Sequence, residues 1–132
     1  MYGSSYFAYL SCYHFTGKKL KFQWEKHIVT PPITQIVDGF LESDKTVTRG
    51  GFSGVTVAGD YVFASYTQRN VTDSLPGVTH SILVYDMLGN HVATYHIDCS
   101  ISGIMVDIEA GSIFGISFED DPVFVRFQFD QI

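Results

Sequence analysis

The chain is predicted to be all-β, assembled from repeated antiparallel four-stranded units, and three observations carry that expectation. Apolar and polar residues alternate with a period of two through most of its 132 residues. Its aromatics are mainly 11 Phe and 8 Tyr, residues that suit a pleated, half-buried surface. Short patterns also recur at matching places along the chain. Hydrophobic residues make up 45%, which gives a chain of this size enough material for a core and argues against disorder.

The elements follow in order. Residues 6–15 form a long aromatic run. Gly17 and Lys18 make a turn, and Leu20, Phe22 and Trp24 alternate with Lys21, Gln23 and Glu25, which predicts a hairpin. Pro31-Pro32 ends its second strand, because proline offers no ladder donor. Residues 33–51 are read as a connection. Ile33, Ile36, Val37, Phe40 and Leu41 fit a strand or a short helical turn, residues 42–45 fit a loop, and Gly50-Gly51 a hinge. Any helix in the chain is expected within residues 33–48. Residues 52–58 and 61–66 form strands about a turn at Gly59-Asp60. Residues 67–80 form a polar loop, and 81–85 and 91–97 are the third and fourth strands. The cycle then restarts at 101–106, returns through 112–116 after a turn at Ala110-Gly111, and passes a loop at 119–122. It ends in residues 123–129, where Val123, Val125, Phe127 and Phe129 alternate with Phe124, Arg126 and Gln128.

The repetition has particular carriers. Phe52-Ser53-Gly54-Val55 is echoed by Ile101-Ser102-Gly103-Ile104, and Ala58-Gly59 by Ala110-Gly111. Tyr13-His14-Phe15-Thr16-Gly17 lines up with Tyr85-Asp86-Met87-Leu88-Gly89. A repeat of four strands in roughly 50 residues lies in the range of propeller blades. One four-stranded sheet cannot bury both faces, whereas stacked sheets can. The expected organisation is one domain over 1–132, with a partial blade at 1–32, a connection at 33–51, a blade at 52–98 and a partial blade at 101–132.

The segment from Ser81 to His91 reads as strand, Tyr-Asp, two residues, Gly-Asn, strand. With the blade that follows, it resembles the C-terminal end of the TolB-like six-bladed β-propeller family of bacterial envelope proteins and lipoproteins. The resemblance covers residues 52–129. It implies antiparallel four-stranded blades of a partial propeller, about half of one. A closed ring needs about 24 strands where this chain reads as roughly ten or eleven. The resemblance also implies a periplasmic or cell-surface location.

Composition excludes several functions. Acidic residues outnumber basic ones 14 to 8, for a net charge of -6. The densest basic run, Lys18-Lys19-Leu20-Lys21, sits at a hairpin turn. Nucleic acid and anionic membrane surfaces are therefore not expected partners, since both require clustered Lys and Arg. No apolar run approaches the roughly 20 residues of a membrane helix, and residues 1–5 do not resemble a signal peptide. Cys12 and Cys99 lack metal-site spacing and read as two separate buried thiols, with a disulfide left open.

Site candidates are few. His14, His27, His80, His91 and His96 show no ligand spacing, so no metal or cofactor is expected. Glu119-Asp120-Asp121 reads as a solvated loop, and Asp38, Asp60, Asp86 and Asp107 as turn residues. Ser53 and Ser102 lack a nucleophile elbow, so no catalytic residue is assigned. Tyr66, Gln68, Arg69 and Asn70 open the longest loop and combine an aromatic, two amides and a guanidinium, which suits recognition of a protein, peptide or carbohydrate partner. Asn70-Val71-Thr72 matches a glycosylation sequon.

These features predict a non-enzymatic binding or scaffold module, and the resemblance implies that it belongs to the bacterial cell envelope. The alternative is a fragment of a metal-dependent propeller enzyme, lactonase-like or lyase-like. The aromatic, weakly charged runs at residues 6–15 and 123–129 predict a homodimer through exposed blade edges.

Overall fold

A computed structural model describes residues 1–3, 8–28, 33–43, 50–69, 78–130 and 132. The described residues contain strands and turns and no helix. In chain order the strands are β1 (Tyr2–Gly3), β2 (Tyr9–Phe15), β3 (Leu20–His27), β4 (Ile33–Val37), β5 (Phe40–Ser43), β6 (Phe52–Ala58), β7 (Tyr61–Tyr66), β8 (Thr79–Asp86), β9 (His91–Asp107), β10 (Ser112–Ser117) and β11 (Val123–Gln128). They form three antiparallel sheets, ordered β1-β2-β3, β4-β5 and β11-β10-β9-β8-β7-β6.

The strand-or-turn alternative at 33–43 resolves as a hairpin. Asp38 and Gly39 both take positive φ, 49° and 81°, which is the backbone of a two-residue primed turn. Phe40–Ser43 is its return strand, so Glu42 and Ser43, expected in a loop, belong to a strand, and residues 44–45 of that expected loop lie outside the described residues.

The largest sheet corrects one boundary. Residues 91–97 and 101–106, expected as separate strands, form the single 17-residue strand β9. Its first part pairs with β8 and its last part with β10. The middle unit is therefore β6, β7, β8 and the start of β9. The last unit is the end of β9 with β10 and β11. The sheet curls enough to bring β6 beside the end of β9. A Cβ on Gly54 would lie 3.4 Å from Gly103 Cα, so the two Ser-Gly steps meet where two backbones approach closely.

The repeat is visible in the backbone. Gly17 and Gly89 close equivalent hairpins at φ 84° and 85°, and Gly59 and Gly111 both sit at φ 57°. The two hairpins also carry a bulge at the same step, between Cys12 and Tyr13 in one and between Val84 and Tyr85 in the other. The ladders agree as well. Val62 faces Tyr85 and Ser65 faces Ile82 in the middle unit, as Ile113 faces Phe127 and Ile116 faces Phe124 in the last.

Two cores fill the spaces between units. Leu10 of the first sheet and Ala8 just before it pack with Phe52, Val62, Ala64, Tyr66 and Tyr85, and Trp24 closes the side. On the opposite face of the middle unit, Phe63, Ile82 and Val84 pack with Ile101 and Ile113, joined by Val125, Phe127 and Phe129. Alternation along β7 and β8 supplies both faces, which is why these strands are apolar at nearly every position. Cys12 is buried, Cys99 is half-buried, and both are free thiols.

Candidate ligand-binding rim

The six-stranded sheet has two unlike rims. One carries short turns: Gly59-Asp60 after β6, residues 87–90 after β8 and 108–111 after β9. The Tyr-Asp-x-x-Gly-Asn sequence explains the second of these. Asp86 Oδ1 accepts hydrogen bonds from the N–H groups of Leu88 and Asn90, each at 2.8 Å, and Oδ2 accepts from the Asn90 amide at 2.8 Å. The Asn90 amide and these backbone donors hold the Asp86 carboxyl below its ordinary range. Trp24 locks the first sheet onto this turn, its Nε1 donating to Met87 O at 2.9 Å.

The other rim gathers residues far apart in sequence. It holds the end of β7, the start of β8, the middle of β9 and the segment after β10. At its centre, Ser100 Oγ and His80 Nε2 are 2.7 Å apart. The Ser100 N–H donates to Glu119 Oε1 at 2.7 Å. His80 Nδ1 lies 3.4 Å from the Ile97 carbonyl. Between the same two strands, Ser81 Oγ is 3.3 Å from His96 Nδ1. Buried Thr79 fixes the entry to β8, donating from Oγ1 to the Tyr66 carbonyl and accepting from the Ser81 N–H at 3.0 Å. Glu119 thus joins the last unit to the strand crossing between units.

Beside this cluster lies a shallow cavity of about 240 Å³, lined by Tyr66, Gln68, Arg69, Val78, Thr79, His80 and Ser81. Its floor is anchored through the backbone: Gly50 N–H donates to the Arg69 carbonyl at 2.7 Å and Thr67 N–H to Gly51 at 2.9 Å. Gly50-Gly51 was expected as a hinge; its hydrogen bonds instead extend the β6–β7 ladder.

The sequence-derived site residues fall out unevenly here. Tyr66 ends β7 with its ring in the core, 5.5 Å from the Phe52 ring, and is 6% exposed. Gln68 is exposed and Arg69 half-buried at the cavity. Asn70, the sequon and the rest of the expected loop to residue 77 lie outside the described residues. His80, Ser81, Ser100 and Glu119 complete the cluster and were not singled out together. Nothing in their spacing brings them together; only the pairing of β8 with β9, and the return of the chain after β10, does so.

The Ser100–His80 pair has limited chemical scope. Ser100 is 6% exposed, and its own N–H, the natural oxyanion donor, is taken by Glu119. The second imidazole nitrogen faces a carbonyl, where a catalytic triad places a carboxylate. What the contact does is orient His80 beside the cavity. Burial pushes the nearby Cys99 thiol up, with Glu119 and Asp98 adding to the effect, so it is not an activated nucleophile. Among the described residues no three His, Cys, Asp or Glu side chains converge as a metal site.

No family model matches the chain, and no curated protein or solved structure matches it.

Proposed function

We propose that the chain is a non-enzymatic binding module of the bacterial cell envelope, working at the periplasmic or cell-surface side as a TolB-like part-propeller. Its ligand is a peptide or carbohydrate bearing a carboxylate, taken at the rim beside Arg69. The observation that carries this reading is the grouping of Arg69, Gln68, His80 and Ser81 around one recess on a backbone-anchored rim. A guanidinium offers a carboxylate two parallel donors in a fixed fork. Gln68 and Ser81 add neutral partners suited to a peptide or a sugar. Among the described residues no carboxylate lies in ion-pair range of Arg69. The envelope assignment rests on the repeated hairpin pattern and its family resemblance.

The rival reading, a metal-dependent propeller enzyme, calls for carboxylates or histidines on the strands nearest the axis. Residues 52–57 and 101–106 carry neither, and the nearest carboxylate, Asp107, ends β9 at its turn, where it accepts from the Ala110 N–H.

The test is calorimetric titration with paired probes: short peptides with a free or an amidated C-terminus, and uronic-acid or neutral oligosaccharides. The expected result is binding of one carboxylate-bearing probe, with a loss of at least about tenfold in Arg69→Ala, the scale of one charged hydrogen bond. Failure of every carboxylate probe, equal affinity for its neutral partner, or unchanged binding by Arg69→Ala would overturn the proposal.

A further inference from the structure

The units of this chain stack by one repeated rule. Register places Leu10, Ile82 and Phe124 at equivalent positions on β2, β8 and β11. It likewise places Tyr13, Tyr85 and Phe127 at equivalent positions on the opposite faces of those strands. At the first junction, Leu10 of one unit packs in the same core as Tyr85 of the next. At the second, Ile82 packs in the same core as Phe127. Each junction therefore sets an aliphatic position of one unit against an aromatic position of the following unit.

One position of each kind is left over, and the one equivalent to Leu10 and Ile82 is occupied by Phe124. Phe124 is 87% exposed on the uncovered face of the last unit, where Met105 is 64% exposed. Met105, Phe114, Ile116 and Phe124 line an apolar groove of about 400 Å³ on that face. At the far end of the molecule Tyr13 and Phe22 meet edge to face with centroids 5.8 Å apart, and they are 38% and 50% exposed. A terminal repeat that ends a stack presents a polar outer face; the face bearing Phe124 is apolar.

We propose that the chain associates head to tail with a second copy of itself, the Phe124 face of one seating against the Tyr13–Phe22 face of the other. The occupant is argued from continuity: this contact repeats the two junctions already inside the chain, with Phe124 in the place of Leu10 and Ile82. The charges agree. Arg126 stands on the first face, its guanidinium 5.9 Å over the Phe114 ring, and Glu25 stands on the face of Tyr13, where Tyr9 Oη donates to it at 3.0 Å. Two copies each supply both faces, so a pair closes through two such junctions about a two-fold axis. The homodimer expected through blade edges becomes, in this form, a dimer through blade faces.

Sedimentation velocity of the full chain at micromolar concentration is the test. Wild type should sediment at a mass of two chains or more, each 14.8 kDa. Phe124→Glu and Tyr13→Glu should each weaken association by about 30-fold or more, the scale of a central interface anchor. Mixing the two variants should restore a one-to-one pair, because one intact Phe124 face then meets one intact Tyr13 face. Circular dichroism establishes that both variants remain folded, as expected for exposed positions. A monomeric wild type, association lost in Phe124→Glu but kept in Tyr13→Glu, or mixed variants that stay apart would each overturn the proposal.

Discussion

Ile82 in the middle unit and Phe124 in the last occupy the same position of the same repeat. Ile82 is fully buried between the middle and last units of the curled sheet, and Phe124 is 87% exposed on the outer face of the last. The same contrast runs through the hairpins: Gly17 and Gly89 share a backbone conformation, yet only Gly89 has another element pressed against it. The repeat sets what each residue is and how its backbone turns. The neighbouring unit sets what that residue contributes. Equivalent substitutions should therefore have unequal effects, ranked by what covers each site.

The largest difference is expected between Ile82 and Phe124. Ile82→Ala removes buried atoms that the surrounding sheets cannot collapse to replace, at a cost of about 2–5 kcal/mol. Leu10→Ala should fall in the same range, since Leu10 is also fully buried. Phe124→Ala should change the stability of a single folded chain by no more than about 0.5 kcal/mol. Urea unfolding below the association range measures all three. Similar midpoints for Ile82→Ala and Phe124→Ala would mean that the exposed face is covered within the chain.

What was legible in the sequence divides along the same line. Period-two alternation located β2, β3, β6, β7, β8, β10 and β11 within a few residues, because each strand's own pattern records its two faces. The glycine turns were equally legible, since positive φ is a local demand. Asp38-Gly39 carried an equally local turn signal, yet the surrounding apolar residues also fitted a helical period, and the hairpin was read as an open alternative. The continuity of β9 could not be read locally. Residues 98–100 look like a break, and the β8 register does shift across them, from Ser81–His96 to Thr79–Ile101; the strand is continuous because β8 pairs with it on both sides of that shift and β10 takes up the pairing from Ile101. The rim was legible in part. Gln68 and Arg69 stand at the cavity, but Tyr66, read as the start of the loop, is the last core residue of β7. His80, Ser100 and Glu119 are separated by 20 and 19 residues and meet only through strand pairing.

A smaller effect separates the two hairpin glycines. A Cβ at Gly89 would sit 2.8 Å from Trp24 Cδ2, whereas nothing lies within 4 Å of one at Gly17. Both sites have left-handed backbone, so alanine costs about 1 kcal/mol at either for conformation alone. Gly89→Ala adds overpacking against the indole, about 1–3 kcal/mol more, and displaces the Trp24 hydrogen bond to Met87. Gly17→Ala should lose only the first amount. Thermal unfolding of the two variants gives the comparison, and equal losses would mean that Trp24 does not bear on the turn.

The subtlest difference between the hairpins is electrostatic and should appear only as a function of pH. The turn after β8 is organised by Asp86, whose carboxylate accepts two backbone N–H groups and the Asn90 amide. The equivalent position in the first hairpin is His14, and that turn is closed by Thr16, whose Oγ1 donates to the Lys19 carbonyl at 3.1 Å. Hydrogen bonding holds the Asp86 carboxyl lower in the folded chain than the roughly 3.9 of an unperturbed aspartate. A depressed folded value means that the unfolded chain binds the proton more readily. The stabilisation is then fully present above the unfolded value and is lost as pH falls through the folded one. Asp86→Asn keeps an acceptor oxygen but removes the charge, so it should lower the melting temperature near neutral pH. The gap from wild type should close as the solution is acidified below the folded value, where Asp86 is itself neutral. A Thr16→Ala variant, which disturbs the other turn without touching a carboxylate, should hold a gap of constant size over the same acid range. Melting curves of the three proteins from neutral pH to pH 2 test the distinction. A constant gap for Asp86→Asn would show that the Asp86 turn is held by its shape alone, and that the two hairpins differ in sequence without differing in the physics that closes them.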